Sequence, residues 1–217
     1  MYTLDYKDYA ACARQAAAEG ILLLKNKEQL LPLEAGSKLA LFGRTQYDTI
    51  YCGTGSGGMV NVPYVISIYE ALKEDYQLSD ALHQRYSSWR AENPFDEGEG
   101  WAATPWSQRE MPLPDELLED VRQFSDTAVF VIGRTAGEDR DNAAIPGAYY
   151  LSETELSVLR KLRKRFPKLV VLVNAGNIID LSWDEEIDCD ALLYLWQGGS
   201  EGGHAAADVM TGRVNPS

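Results

Sequence analysis

Short apolar runs recur along this chain, each ending in glycine or polar residues, and stretches of helical period lie between them. Residues 38–43 read as the first core strand, residues 127–132 as a buried parallel strand, and residues 169–174 and 191–196 as two more. Ahead of them, Tyr6, Tyr9, Ala10, Ala13, Ala16 and Ala17 stand at helical spacing over 5–19, with Gly20 placed to act as a C-cap. Residues 21–26 are a short apolar run that turns polar. Residues 30–33 are expected to be extended, because Pro32 biases its predecessor away from helix. Val65, Ile66, Ile68, Tyr69 and Leu72 predict an amphipathic helix over 64–75, and Leu82, Tyr86 and Trp89 a second over 79–91. Pro114 opens a helix to Phe124. Ser152 and Glu155 match a capping box at the head of a helix that runs to Arg165 and stops before Pro167. A last helix spans 204–210 and is capped by Gly212.

Strands that alternate with helices, each strand leading into a loop, predict an α/β fold: a mostly parallel sheet sandwiched between helices. The right-handedness of crossovers makes one doubly wound domain over 1–217 the simplest arrangement. The segment 92–113 interrupts this rhythm. It is rich in Gly, Pro, Glu and Trp and too long for an ordinary connection, so it reads as a functional insertion or a disordered loop. Its Trp101 and Trp106 are candidates to stack on a sugar ring or a partner domain, or to pack on their own domain.

The charge balance narrows the partners. A formal net charge of -13 with no basic cluster argues against nucleic acid and against anionic membrane surfaces. No apolar run approaches the roughly 18 residues that span a bilayer. The first eight residues carry neither a basic nor an apolar signal-peptide region. Cys12, Cys52 and Cys189 have no metal-binding spacing and suggest a reducing compartment, so a cytoplasmic location is expected. With His83 and His204 as the whole histidine complement, a histidine-based metal centre is not expected, and no cofactor is called for. Oligomeric state is left open, a homo-oligomer included.

Two loops carry candidate chemistry. Gly53, Gly55 and Gly58 formally satisfy the dinucleotide-binding glycine pattern, but that pattern needs a strand running straight into the glycines and a helix opening at the last one. Here the strand at 38–43 ends well before them, and Val62-Pro63 follows. A flexible backbone loop that approaches a ligand or another domain, with Ser56 offering a hydroxyl, is the better reading. The second loop is Gly133-Arg134-Thr135-Ala136-Gly137-Glu138-Asp139-Arg140-Asp141-Asn142, directly after the strand at 127–132. Ligands of open α/β sheets sit outside the carboxyl ends of such strands. The glycine pair around Glu138, followed by Asp139-Arg140-Asp141, is therefore placed to do chemistry, with a solvated acidic loop as the alternative.

Several blocks, taken together and in order, resemble the second, α/β domain of glycoside hydrolase family 3. They are residues 16–26 with Leu31-Pro32-Leu33; Leu41-Phe42-Gly43 with Gly53-Thr54-Gly55-Ser56-Gly57; and Ala136-Gly137-Glu138-Asp139-Arg140 with Tyr150-Leu151-Ser152. The last block runs from Trp196-Gln197-Gly198-Gly199-Ser200-Glu201-Gly202-Gly203 through Ala207-Asp208-Val209 to Gly212 and Val214-Asn215-Pro216-Ser217.

The resemblance implies part of a retaining β-glycosidase, most commonly a β-glucosidase, acting on a β-linked oligosaccharide or glycoside. It implies that the nucleophilic aspartate lies on a separate (β/α)8-barrel domain. The acid/base glutamate maps onto Glu138, in a segment shortened so that Glu138 abuts Asp139 and Arg140. Ser56 and Gly55 map onto a glycine-rich loop that reaches the sugar, and Arg140 and Asp139 are expected to orient the glutamate. A retaining enzyme needs two carboxyl groups about 5–5.5 Å apart, and the acid must keep its proton near neutral pH. No second such carboxylate is identified in this chain. The chain is therefore expected to be a half-site, folded but inactive alone, cut from a longer protein in which it precedes the barrel. The competing reading is a non-catalytic carbohydrate-binding or interdomain module.

Overall fold

A computed structural model describes residues 5–217. The reading of the N-terminus as free of a signal peptide rests partly on residues 1–4 and lies outside them.

Among the described residues six strands form one mixed, mostly parallel sheet: β1 (Leu22–Asn26), β2 (Lys38–Phe42), β3 (Gln77–Leu78), β4 (Thr127–Arg134), β5 (Lys168–Ala175) and β6 (Ala191–Tyr194). Their spatial order is β1-β6-β5-β4-β2-β3. β1 runs antiparallel to β6, with Leu22 opposite Tyr194, and every other pairing is parallel. β4 and β5 pair along their whole length, from Thr127 opposite Lys168 to Arg134 opposite Ala175. Among the described residues seven α-helices accompany them: α1 (Tyr6–Gly20), α2 (Ile68–Asp75), α3 (Asp80–Glu92), α4 (Asp115–Phe124), α5 (Glu153–Arg165), α6 (Asp184–Ile187) and α7 (Gly202–Thr211).

The strands alternate between two apolar layers, as period-2 side chains must. Phe42, Phe130, Ile132, Val171 and Leu192 face a layer filled by α3, α4, α5 and α6. Leu41, Val129, Val131, Leu172 and Leu193 face the other, filled by Ala18 of α1, Leu72 of α2, and Ala206 and Met210 of α7. All eight residues of β4 are buried, which is why its sequence is a continuous apolar run instead of an alternating one.

Several boundaries differ from the sequence expectation, each for a local reason. The helix expected over 64–75 begins only at Ile68, because Ser67 caps it: its side chain accepts from Glu70 N while Glu70 accepts from Ser67 N. The strand expected to reach residue 196 stops at Tyr194; Trp196 takes a φ of +57°, where its carbonyl accepts from Asn174 Nδ2 at 2.6 Å. Gly20 is the last helical residue of α1 and not a left-handed cap, since the chain leaves extended at Ile21 (φ -67°, ψ 134°). α7 starts at Gly202, ahead of the expected 204. Gly212 does cap α7 in the left-handed conformation, and the Ser152–Glu155 capping box is present.

The segment 92–113 has little regular structure but is tied down. Asp96 and Gln108 exchange two hydrogen bonds, at 2.8 and 2.9 Å. Met111 and Leu113 enter the core. Thr135 N donates to Trp106 O and Thr135 Oγ1 to Pro105 O, both at 2.8 Å, which fixes the segment to the end of β4.

Candidate active site

The strand order reverses beside β4. From β2 the chain goes outward to β3, whereas from β4 it goes the other way to β5 and β6. Loops leaving the carboxyl ends of β2 and β4 therefore diverge and leave a crevice, the usual ligand position of an open parallel sheet. Both candidate loops of the sequence emerge there: residues 53–58 follow β2, and residues 136–142 follow β4.

The two loops are joined by backbone. Thr54 N donates to Ala136 O at 2.9 Å, Glu138 N donates to Thr54 O at 3.3 Å, and Thr54 bridges to Gly137 in parallel fashion. Gly137 also bridges to Arg140, so Glu138 and Asp139 form the tip of a tight turn. Asp139 takes the left-handed corner of that turn, φ +53°, a conformation that aspartate tolerates better than most residues. The approach is close enough to exclude side chains at two places. A Cβ on Gly137 would lie 2.5 Å from Thr54 O, and one on Gly55, itself at φ +73°, would lie 2.8 Å from Glu138 Cβ.

Ser56 reaches across this junction to Glu138. Its backbone N–H donates to Glu138 Oε2 at 2.9 Å, and its hydroxyl donates to the same oxygen. Both side chains are exposed. These two bonds hold the Glu138 carboxyl below the usual carboxylate range, because they favour the charged form. Oε1 has no partner among the described residues.

Arg140 sits elsewhere. Its guanidinium lies over the Trp106 ring, 4.5 Å from the centroid, and among the described residues no ion pair joins it to Glu138. Its Nε and the Trp106 Nε1 are both buried without a hydrogen-bond partner. The structure thus brings Ser56, Gly55 and Glu138 together, gives Asp139 the corner of the turn, and turns Arg140 onto an aromatic ring. The contacts that orient Glu138 come from Ser56.

A cleft of about 590 Å³ opens beside Gly55. Its lining comes from residues 48–55 with Gly58 and Met59, from Phe95, Glu97 and residues 100–104, and from Thr135, just past the end of β4. Trp101, 57% exposed, edges it within 3.5 Å of where a Gly55 side chain would be. Asp48, the other carboxylate beside Glu97 in the lining, is bound by Arg44 at 2.8 Å and by Arg90. It is thereby occupied by cations. Among the described residues no group of His, Cys, Asp or Glu side chains is gathered to hold a metal ion.

The residue that sequence reasoning missed is Arg134, the last of β4. It is 1% exposed and uses all five of its N–H donors. Nη1 and Nη2 pair with the two carboxylate oxygens of Glu155 at 2.7 Å each. The remaining donors go to Ala148 O, Gly133 O and Tyr150 O. Glu155 meanwhile accepts from Ser152 N and Oγ at the head of α5. This buried pair gathers both ends of the Glu138 loop. The only hint of it in the sequence was the capping-box glutamate.

Comparison with known proteins agrees with this construction. The model for the glycosyl hydrolase family 3 C-terminal domain matches residues 21–217. A β-glucosidase of Ruminococcus albus is 45% identical over all of this chain, which covers 23% of that protein. Among solved structures, a β-glucosidase from Paenibacillus barengoltzii is similar with a TM-score of 0.94 at 45% identity, over 100% of this chain and 24% of its own. β-Glucosidase 3B from Thermotoga neapolitana, in complex with α-D-glucose, gives a TM-score of 0.88 at 34% identity, over 99% and 30%. The chain spans about a quarter of the length of the curated relatives it matches. This chain belongs to the glycosyl hydrolase family 3 C-terminal domain family.

Proposed function

We propose that this chain is the second domain of a retaining β-glycosidase, of β-glucosidase type, and that Glu138 is its general acid/base. The nucleophilic carboxylate would come from a (β/α)8-barrel domain outside these residues, and the loop bearing Gly55 and Ser56 would cover the sugar. The observation that carries this reading is the junction of the two loops: it presents one cation-free carboxylate, held by Ser56, at the edge of a cleft on the reversal point of the sheet. The names of the relatives, β-glucosidases four times this chain's length, point the same way.

In this reading the partner domain's carboxylate attacks the anomeric carbon and forms a glycosyl ester. Glu138 gives its proton to the departing glycosidic oxygen. Glu138, now ionised, then takes a proton from water, which attacks the same carbon and releases the nucleophile. Ser56 alone disfavours the protonated form, so the proton must be held by what the other domain brings: a second negative charge nearby and exclusion of water. Trp101 gives the cleft an aromatic face suited to a sugar ring.

The test is a leaving-group series on the complete glycosidase. Glu138→Ala should lose about 10²–10⁴-fold in kcat/KM on alkyl β-glucosides, where protonation of the leaving oxygen is needed. On nitrophenyl β-glucosides, which leave unaided, the loss should be far smaller. Equal losses across the series would point to the binding-module reading, with Glu138 in a structural role.

A further inference from the structure

The contact that aims Glu138 also opposes the state in which it must act as an acid. Two donors from one residue, Ser56 N–H and Ser56 Oγ–H, converge on Oε2, and a carboxyl that accepts two donors is stabilised in its charged form. Among the described residues no cation pairs with Glu138. Asp139, Arg140 and Asp141 share the loop, and Asp48 and Glu97 line the cleft; the two Ser56 donors lower the proton affinity of Glu138, and partial loss of solvent raises it. A glutamate with this surrounding can act as a base at once, and departure of one of the two donors favours the protonated form it needs as an acid.

We propose that Ser56 is a positioning residue that latches Glu138 as a carboxylate in the empty site and releases it for protonation when a glycoside hydroxyl takes over the Ser56 Oγ. This rests on the acid/base reading of Glu138. The geometry separates the two donors. The backbone N–H belongs to a turn, Gly55–Gly58, pinned through Thr54 to the Glu138 loop, so it keeps Oε2 aimed whatever the hydroxyl does. The hydroxyl is an exposed rotor, able to donate elsewhere or to accept by turning about one bond. Around it the chain is open: a Cβ at Gly57 would meet nothing within 4 Å, so a ligand has room to approach. The natural competitor is a ring bearing several hydroxyls, which can both donate to Oγ and accept from it. When that exchange occurs, Oε2 keeps one donor, and Oε1, unpartnered among the described residues, is the oxygen that carries the proton toward the leaving group. Arrival of substrate and arming of the acid are then one event.

Two measurements test this. In the 217-residue chain, the Glu138 carboxyl is titrated by ¹³C NMR, with Glu138→Gln used to assign the signal. Ser56→Ala should move its midpoint upward, and Ser56→Thr, which keeps the hydroxyl, should move it less. In the complete glycosidase, pH profiles are recorded on an alkyl β-glucoside, where kcat/KM reports the free site and kcat the loaded one. The alkaline limb should lie at higher pH in kcat than in kcat/KM for the wild type, and Ser56→Ala should close that gap. A Glu138 midpoint that is the same with and without the Ser56 hydroxyl, or a gap untouched by Ser56→Ala, overturns the latch. Failure of the underlying acid/base reading looks different: Glu138→Gln would then hydrolyse the alkyl glucoside at the wild-type rate.

Discussion

Replacing Arg134 by Met should be among the most destabilising single changes in this chain. The side chain is fully enclosed, and its five N–H groups all have acceptors within 3.3 Å. Methionine fills much of the volume but leaves the Glu155 carboxylate buried without its cation and three carbonyls without their donor. Removing one partner of a buried ion pair typically costs about 3–5 kcal/mol. That is a large share of the roughly 5–15 kcal/mol that holds a domain folded. With a urea slope of about 2 kcal/mol/M, the unfolding midpoint should fall by about 1.5–2.5 M with the slope unchanged. Glu155→Gln should cost a comparable amount, because it strands the guanidinium and weakens the cap on α5. The double variant Arg134→Met/Glu155→Gln should cost clearly less than the two single costs combined, because both remove the same interaction. A single-variant loss under about 1 kcal/mol, or strict additivity in the double, would refute the view that this pair anchors the Glu138 loop.

Two further predictions concern other parts of the site. Gly137→Ala drives a Cβ to 2.5 Å from Thr54 O, so it should part the two loops while leaving the core intact; far-UV circular dichroism should stay native as kcat/KM of the complete glycosidase falls about 10–100-fold, the usual effect of misplacing a catalytic group by about 1 Å. Unchanged kcat/KM would show that the junction does not position the carboxylate. Glu110 is buried beside the carboxyl end of β2, where it accepts from Arg44 N, Met111 N and the Tyr86 hydroxyl. Loss of water there pushes its carboxyl up to about 7. Its folded form therefore holds a proton that the unfolded form has released between about pH 4.5 and 7. Its contribution to stability is present below that window and lost as pH rises through it, by up to about 3 kcal/mol. Glu110→Gln should remove this slope from the pH–stability curve measured by urea unfolding, and a curve with the wild-type slope would contradict the assignment.

The sheet was readable because its central strands are buried on both faces and so carry uninterrupted apolar runs, residues 128–132 in β4 and 169–173 in β5. The edge strand β3 was not, because two residues, Gln77 and Leu78, carry no periodicity. The Ser67–Glu70 cap had a visible signature, Ser-x-x-Glu, that was outweighed by apolar Val65 and Ile66 just upstream. Glu138 stood out as a carboxylate after a buried strand and within a family block. Ser56 stood out in its own glycine-rich loop, but its pairing with Glu138 did not: the two lie 82 residues apart, and only the reversal of strand order beside β4 brings the two loops together. Arg140 was expected beside Glu138 because it is two residues away in sequence. The tight turn at Asp139 instead sends it to Trp106, in a segment whose course no local pattern specifies. Arg134 was hidden for a related reason, since a buried cation at the end of a strand is intelligible only once its five acceptors are in place.

The most direct test of the central claim is the product formed by Glu138→Ala of the complete glycosidase from a nitrophenyl β-glucoside in the presence of azide. If Glu138 is the acid/base, the variant accumulates a glycosyl enzyme that lacks a base to activate water. Azide, which needs no base, should then accelerate turnover and yield the β-glucosyl azide, with configuration retained. Hydrolysis at the wild-type rate with no azide adduct, or an α-configured adduct, would contradict the account.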